Sequence, residues 1–329
     1  MAWKFIAVKG AEQLGSFDHL ESRWPIHGSV LPKDDGLYFT AGRNTYLDGG
    51  IMIFKLDLKT GAVLASDIIT TIDPKTDKQK AWEQRNDMAG THTTLMSGDD
   101  DSVYLKTYRF DHSLKEREQK RNHLLSITGL LGEEWFVRNY WLYGATLGGG
   151  WGHWATIANQ VPAGRILSFD KSGIYGYGRI KYENGRTGHR TNNYMLFHEK
   201  YYENVIDTLF QGGRGKNNKD KSARRKQVWS DTDSLTTRAM CLAGSKLFIA
   251  GPPDPGPRKA DIMEFQNPQE AIDRFTGKKG VFLAAYDKAK GKSLGKIKLS
   301  GMPVFDGMIT ANRKLYISMQ DGSIICLGK

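Results

Sequence analysis

The glycine-rich stretch at residues 148–154 carries side chains that could recognise a flat ligand. Trp151, His153 and Trp154 stand among four glycines, and glycine lets a ligand or another segment approach the backbone closely. Indole rings stack on sugar rings and on nucleic-acid bases. Large aromatic side chains are also usually buried, so the same rings could pack between sheets. The stretch is a candidate ligand platform, with packing as the alternative.

A second group of polar residues lies in one loop. Arg43, Asn44, Tyr46 and Asp48 are followed by two glycines. An arginine and an aspartate in this loop could bind a ligand, or they could form an internal salt bridge beside an Asx turn. Further candidates occupy comparable positions next to predicted strands: Arg109, Arg165, Asp254 and Asp306.

The eight histidines show no metal-binding spacing. All lie between His19 and His198, and none forms the His-x-x-x-His pair of helical metal sites. His27, His92 and His153 each follow a turn-like or glycine-bearing segment and could converge on a ligand, but they lack nearby carboxylate or thiol partners. We therefore predict no metal site and expect these histidines to bond to backbone carbonyls.

Sequence motifs for catalysis are absent. The chain has no nucleophile elbow, no phosphate-binding glycine loop and no paired-cysteine metal motif. Its two cysteines, Cys241 and Cys326, are too few for a disulfide scaffold. We therefore predict no catalytic residue, although distant loops can assemble an active site without a local motif, so an enzyme is not excluded.

Short runs of aromatic and β-branched residues recur along the chain and must position these candidates. Residues 28–69 hold four such runs joined by tight turns. Similar units return at 93–107, 165–178, 239–299 and 307–327. Repeated four-stranded units of about 40 residues favour radial repetition, as in WD40-like proteins. We predict an all-β fold over residues 1–329 as a single domain, a β-propeller of about five four-stranded blades.

The ends and the insertions complete this predicted architecture. The last unit ends after three strands, and residues 3–8 form a lone strand-like segment that we expect to close the last blade. Insertions are predicted near residues 108–160, 181–235 and 252–279, and a proline just inside its start predicts a short helix at 267–275. In this arrangement the polar candidates would line a central funnel.

Composition narrows the class of protein. The chain has 329 residues and a net charge of +11, long enough for a core without disulfides. No run approaches the roughly 20 apolar residues of a membrane-spanning helix. The dense basic run at 214–226 contains or adjoins three glycines (212, 213 and 215) and two asparagines, so we interpret it as a solvated insertion and do not predict nucleic-acid binding. The N-terminus lacks the apolar stretch of a secretory signal, which leaves a cytoplasmic protein or a trimmed precursor.

Five segments of the chain resemble one family. Residues 24–31, 41–51, 161–167, 247–254 and 303–308 are similar to the PQQ-like (quinoprotein-like) β-propeller repeat proteins abundant in planctomycetes and related bacteria. The chain resembles the C-terminal half of such a protein. The resemblance implies a bacterial propeller that is exported, hence an extracytoplasmic location.

The resemblance also raises the question of a cofactor. PQQ-dependent alcohol dehydrogenases, which are distant relatives in this fold, hold the quinone between a tryptophan and a vicinal disulfide and bind calcium on carboxylate and amide ligands. Cys241 and Cys326 are not adjacent here, and no segment reproduces the acidic cluster. A shared fold does not establish a shared activity, so no cofactor is predicted. PQQ and calcium are implied only by the resemblance to the family.

Two functions follow from these observations. The preferred hypothesis is a non-catalytic propeller scaffold that binds a small-molecule ligand such as a glycan, or a protein partner. The alternative is an enzyme, either a PQQ- or quinone-dependent oxidoreductase or a carbohydrate-active propeller. The sequence does not fix the oligomeric state.

Overall fold

The chain divides into two compact units, Met1–Leu130 with Tyr143–Gly150, and Leu131–Leu142 with Trp151–Lys329. The computed structural model describes these residues: 3–7, 12–16, 18–26, 30–73, 75–79, 90–106, 108–118, 123–126, 140–144, 158–180, 194–201, 225, 227–232, 235–257 and 265–328. Both units consist mainly of antiparallel β-sheets.

In its described residues, the first unit contains two four-stranded sheets and two short hairpins. Its strands are β1 (Gln13–Ser16), β2 (His19–Ser22), β3 (Leu31–Lys33), β4 (Gly36–Ala41), β5 (Ile51–Leu56), β6 (Val63–Ile69), β7 (Ile72–Asp73), β8 (Lys78–Gln79), β9 (Ser97–Gly98), β10 (Val103–Leu105), β11 (Tyr108–Phe110), β12 (Glu116–Arg117) and β13 (Leu124–Ser126). Strands β3 to β6 and β9 to β12 each form a sheet whose neighbours are consecutive in the chain, and β1–β2 and β7–β8 pair as hairpins.

The second unit repeats this arrangement. Its strands and helix are β14 (Trp141–Tyr143), β15 (Ala163–Gly164), β16 (Ile166–Asp170), β17 (Gly173–Arg179), β18 (Tyr194–Glu199), β19 (Gln227–Asp231), β20 (Ala239–Ala243), β21 (Lys246–Gly251), α1 (Pro268–Phe275), β22 (Val281–Asp287), β23 (Ser293–Leu299), β24 (Pro303–Ala311), β25 (Lys314–Met319) and β26 (Ile324–Leu327). Strands β16 to β19 and β20 to β23 form four-stranded sheets, and β24 to β26 form a sheet with three described strands.

One turn recurs between the third and fourth strands of a sheet. After β5, the Asp57 carboxylate accepts the backbone N–H groups of Lys59 and Thr60 at 3.0 and 2.7 Å. After β22, Asp287 accepts the N–H groups of Ala289 and Lys290 in the same way. Each turn ends at a glycine with positive φ, a conformation that glycine adopts at little cost. The local pattern Asp-x-x-x-Gly therefore fixes where these strands reverse.

Within each unit, consecutive sheets pack face to face. In the first unit a single core joins Tyr38 and Ile53 of the β3–β6 sheet to Val103 and Leu105 of the β9–β12 sheet. In the second unit one core spans the β16–β19 and β20–β23 sheets, and another spans β20–β23 and β24–β26. Each fully buried aliphatic or aromatic side chain contributes roughly 1.5–3 kcal/mol, so these shared cores hold the sheets together.

The structure bears out the coarse expectation of an all-β chain built from several four-stranded antiparallel sheets. The count of five is not confirmed, because β14 and β15 form a further short ladder, Trp141 opposite Gly164, inside the region predicted as an insertion. The predicted helix is confirmed: Pro268 is its first residue, and the Asn267 side chain caps it by accepting the Glu270 N–H at 3.0 Å.

The expected closing strand is not seen in the described part of the N-terminus. Residues 3–7 have no strand assignment. The side chains of Trp3, Phe5 and Ala7 pack on Phe39 and other residues of the β3–β6 sheet, and closure is not confirmed.

Candidate functional site

The loop that connects β4 and β5 in the first unit is tied together internally. Asp48 accepts hydrogen bonds from Arg43 Nε at 2.9 Å and Nη2 at 2.6 Å, and from Arg23 Nε at 2.7 Å. Burial alone would raise the pKa of Asp48, but the two guanidinium groups outweigh it and hold that pKa below its usual value. The internal salt bridge, one of the two interpretations offered by the sequence, is present.

Asn44 shapes the same loop. Its Oδ1 atom accepts the backbone N–H groups of Tyr46 at 2.9 Å and Leu47 at 3.0 Å, which is the Asx turn anticipated from the sequence. Buried threonines stabilise the loop by backbone hydrogen bonds. The Thr45 N–H donates to Thr91 O at 2.9 Å, and the Thr71 N–H donates to Thr45 O at 3.1 Å. Burial raises the pKa of Tyr46. The side-chain oxygen of Asn44 thus stabilises the loop.

Arg109 lies within β11 and is separate from this loop cluster. Its Nε atom donates to Ser102 Oγ at 2.8 Å, and its backbone pairs with Tyr104 on one side and Arg117 on the other. These contacts connect neighbouring strands of one sheet, so the structure gives Arg109 a role in holding that sheet.

The second unit brings two arginines to the same position in adjacent sheets. Arg165 precedes β16 and donates its backbone N–H to Tyr177 O at 2.7 Å; Arg238 precedes β20 and donates to Ala250 O at 2.9 Å. In both sheets the acceptor lies in the second strand, so the two arginines are structurally equivalent. Both are almost fully buried, at 4% and 8% exposure.

A third arginine and several aromatic rings complete this group, which we call the arginine cluster (Arg165, Arg179 and Arg238). Arg179, at the end of β17, is 6% exposed and donates from Nε to Tyr194 Oη at 3.3 Å. The Arg165 guanidinium lies 5.1 Å from the centre of the Phe305 ring. Burial lowers the pKa of Arg165, and the charges of Arg238 and Arg179 lower it further, while Tyr194 and Tyr177 act in the opposite sense.

Asp306 lies beside the arginine cluster on an irregular part of β24. Pairing with β25 shifts between Pro303 and Met308, and within this bulge Asp306 has a φ of 55°. Its backbone N–H donates to Arg238 O at 2.8 Å. Solvent reaches the side chain, yet the surrounding protein crowds it and raises the pKa of its carboxyl to about 6.

Asp254 has a structural role that is separate from the arginine cluster. Its side chain accepts the Gly256 N–H at 2.8 Å, and its backbone carbonyl accepts a hydrogen bond from Arg274 of α1 at 3.3 Å. Asp254 therefore anchors the segment that carries the helix. The remaining candidates, His27, Trp151, His153 and Trp154, lie outside the described residues.

Antiparallel topology explains why these residues gather. The start of a first strand and the end of a second strand lie at the same end of a meander sheet. Arg165 and Arg238 stand at strand starts, and Arg179 at a strand end. The sequence singled out Arg165 and Asp306 but missed Arg179 and Arg238. Superposing the predicted repeats would have found Arg238, which stands directly before β20 as Arg165 stands directly before β16.

A separate hollow of about 510 Å³ lies between the β20–β23 and β24–β26 sheets, at their other end. Hairpin backbone, the apolar Phe248 and Leu315, and the basic Lys246, Arg313 and Lys314 line it. None of these residues was a sequence candidate.

Two searches of the described residues gave negative results. No group of three or more His, Cys, Asp or Glu side chains among them could hold a metal ion. No helix among them is long and apolar enough to cross a membrane.

Comparisons with known proteins give only distant likenesses. No family model matches the chain, and no curated protein sequence matches it. Among solved structures it is similar to BamB from Moraxella catarrhalis, with 10% identity, 90% of this chain and 68% of that chain covered, and a TM-score of 0.39. It is also similar to the computationally designed Ika8 protein, with 7% identity, 94% and 97% coverage and a TM-score of 0.27. At these values neither likeness identifies the function.

Proposed function

We propose that the chain is a β-propeller scaffold whose arginine cluster binds the carboxylate of an acidic ligand, with a sugar acid or acidic glycan as the substrate class. The propeller is supported by the face-to-face packing of consecutive meander sheets inside each unit. A binding role is supported by side chains suited to recognition, while the sequence carries no motif for catalysis.

The observation that carries the ligand class is the placement of Arg165 and Arg238 at one structural position in neighbouring sheets. Segment 305–306 touches both, through the Phe305 ring and the Asp306 N–H, so the two arginines belong to one cluster. Guanidinium groups bind carboxylates through paired hydrogen bonds. The charge of Arg238 lowers the pKa of Arg165, so the two guanidinium groups share a region of positive potential that attracts an anionic ligand.

The neighbouring ring of Phe305 favours a sugar acid over a simple anion. Phe305 is partly exposed and lies against Arg165, whereas Tyr177 and Tyr194 are buried and stack on each other in the core behind it. Aromatic faces pack on the apolar faces of flat ligands, while arginine fixes a carboxylate beside them. A pyranose that bears one carboxylate supplies both features.

The ligand is tested by calorimetric titration with tetragalacturonic acid and with its methyl ester, which differs only by loss of the carboxylates. We expect the ester to bind at least ten-fold more weakly. Arg165→Gln and Arg238→Gln should each lower affinity for the acid about ten-fold or more, since a hydrogen bond to a charged group is worth roughly 1.5–3 kcal/mol.

Two controls keep this test specific. Arg117→Gln removes an exposed arginine that pairs with Asp111 and should leave affinity unchanged. Arg165→Lys keeps the charge but loses the planar fork, so it should bind more weakly than the unmodified protein while folding normally by circular dichroism. Equal binding of acid and ester, or wild-type affinity in both glutamine variants, contradicts the proposal.

We further propose that residues 3–7 supply the outer strand missing from the β24–β26 sheet, so that the propeller is closed. Two equivalent contacts support this. Trp229 of β19, an outer strand, packs on Gly291 of the next sheet and donates from Nε1 to Lys288 O at 2.9 Å. Trp3 packs on Gly61 in the same way and donates to Leu58 O at 3.3 Å. This equivalence supports the proposal that Trp3 belongs to an outer strand preceding the β3–β6 sheet.

A further inference from the structure

Lys106 occupies a backbone position that lysine rarely takes. It lies in the tight connection between Leu105 of β10 and Tyr108 of β11, with a φ of 54°. Asn, Asp and Gly are the usual residues in such hairpin connections, and the left-handed conformation costs other residues roughly 1–2 kcal/mol. Strain of this kind is typical of sites where the side chain has a task.

The side chain of Lys106 meets a histidine instead of a carboxylate. Its Nζ atom lies 2.8 Å from His92 Nδ1 and 3.2 Å from His92 Nε2. His92 precedes β9 and forms a β-bridge with Asn44. By contrast, Lys55 pairs with Asp35 and Lys288 with Asp170. Across the described part of the chain, Lys106 has no ion pair with a carboxylate.

This environment changes the protonation of both groups. Burial lowers the pKa of Lys106 to about 8, so roughly a quarter of the amine is neutral at pH 7.5, against about one part in a thousand for an unperturbed lysine. Burial, and next the charge of Lys106, lower the pKa of His92. A neutral imidazole therefore stands beside a partly neutral amine, and the partial exposure of Lys106 leaves it reachable from solvent.

We propose that Lys106 is a nucleophilic amine that captures a small aldehyde or ketone as an imine, with His92 as the proton acceptor. The nitrogen lone pair of Lys106 Nζ forms a bond to the carbonyl carbon, and the π electrons of the carbonyl move to its oxygen, which takes up a proton. The His92 imidazole accepts a proton from the nitrogen. The carbinolamine then loses water, so the net change is the release of one water with no oxidant or reductant. Reversible capture of this kind is compatible with a binding scaffold and independent of the arginine cluster.

The proposal is tested on the wild-type protein with glycolaldehyde and sodium cyanoborohydride at pH 7.5, which reduce any imine to a stable secondary amine. Peptide mass spectrometry then gives the initial labelling rate of each lysine. Lys106 should react at least ten-fold faster than the exposed Lys59, because its larger neutral fraction outweighs the lower nucleophilicity of a less basic amine. A rate at or below that of Lys59 overturns the proposal.

The pH profile and two variants sharpen the test. The Lys106 labelling rate should level off above about pH 8, where the amine is mostly neutral, whereas that of free Nα-acetyl-lysine, used as a reference amine, keeps rising. His92→Phe should slow Lys106 at least three-fold and leave Lys59 unchanged. Lys106→Arg should lose labelling at this site while retaining the wild-type circular dichroism spectrum. Parallel pH profiles for Lys106 and the free reference amine, or an unchanged rate in His92→Phe, contradict the proposal.

Discussion

His123 shows how a histidine can be a packing residue in this chain. Its ring stacks on Tyr104 with ring centres 4.1 Å apart, its Nδ1 atom lies 2.7 Å from Ser97 Oγ, and its Nε2 atom lies 3.0 Å from Tyr143 Oη. His198 stacks on Tyr175 at 4.2 Å. The sequence predicted backbone carbonyls as partners for His27, His92 and His153, and of these the described His92 ring contacts Lys106 Nζ. His198 has a backbone carbonyl partner, Ser172 O at 3.2 Å, whereas His123 bonds to two side-chain hydroxyls.

Acid should destabilise the fold through His123. Burial lowers the pKa of His123 to about 4, against the weaker opposite effect of Asp99. The unfolded chain takes up this proton below about pH 6.5 and the folded chain only near pH 4, so stability is lost as the pH falls between these values, by roughly 3 kcal/mol in total. Urea unfolding at a series of pH values, with wild type and His123→Gln compared, checks this. The variant should lose less stability over that range, and identical slopes would refute the assignment.

The sequence indicates individual residues only where a local pattern marks them. Asn44 could be interpreted as an Asx turn because its acceptor reaches residues two and three positions on. Lys106 could not be singled out, since its importance depends on burial and on His92, which lies 14 residues away. A lysine in a hairpin connection was the one available signal.

At the scale of elements, the turn after β22 contacts the outer strand β19 of the preceding β16–β19 sheet. Gly291 has a φ of 67°, and a Cβ atom there would lie 2.5 Å from the Trp229 ring. The indole also donates to Lys288 O, and Tyr286 Oη donates to Asp231 at 3.2 Å. Consecutive sheets are therefore joined by specific polar contacts at their rims as well as by the shared core.

Gly291→Ala should destabilise the second unit more than Gly244→Ala. Both glycines have positive φ, but a Cβ at Gly244 would meet nothing within 4 Å. The Gly244 variant should cost only the backbone penalty of about 1 kcal/mol, while Gly291→Ala must also displace Trp229, which adds roughly 1–3 kcal/mol as overpacking. Guanidinium unfolding monitored by tryptophan fluorescence measures the difference. Equal losses of stability would show that the indole contact contributes nothing.

The sequence predicts strands and turns that have a strong local pattern. It does not predict very short strands or strands that pair with a distant part of the chain. The Asp-x-x-x-Gly turns and the runs around β4, β5, β21 and β22 depend on neighbours in sequence. The ladder of β14 and β15 pairs Trp141 with Gly164 across more than twenty residues, and β15 has only two residues. No periodicity can emerge from a strand of that length.

At the scale of the whole molecule, the proposed closure predicts protection of the β26 edge. Deletion of residues 1–8 should speed amide hydrogen exchange in Ile324–Leu327 by at least ten-fold, because the missing strand no longer pairs with that edge. Exchange in Ser293–Leu299, the outer strand of the neighbouring sheet, serves as the internal control and should not change. Unaltered exchange in β26 after the deletion would rule out residues 3–7 as its partner.

The equivalence of Arg165 and Arg238 has a consequence for how such a chain can change. Each of these arginines stands directly before the first strand of its sheet and donates its backbone N–H to the second strand. Because this hydrogen bond does not involve the side chain, replacing the side chain need not break the pairing of the two strands. Each of these two sheets therefore carries one side chain that can vary while the backbone pairing is kept. Under the proposed binding role, combinatorial replacement at the two positions would alter ligand selectivity without redesign of the strands.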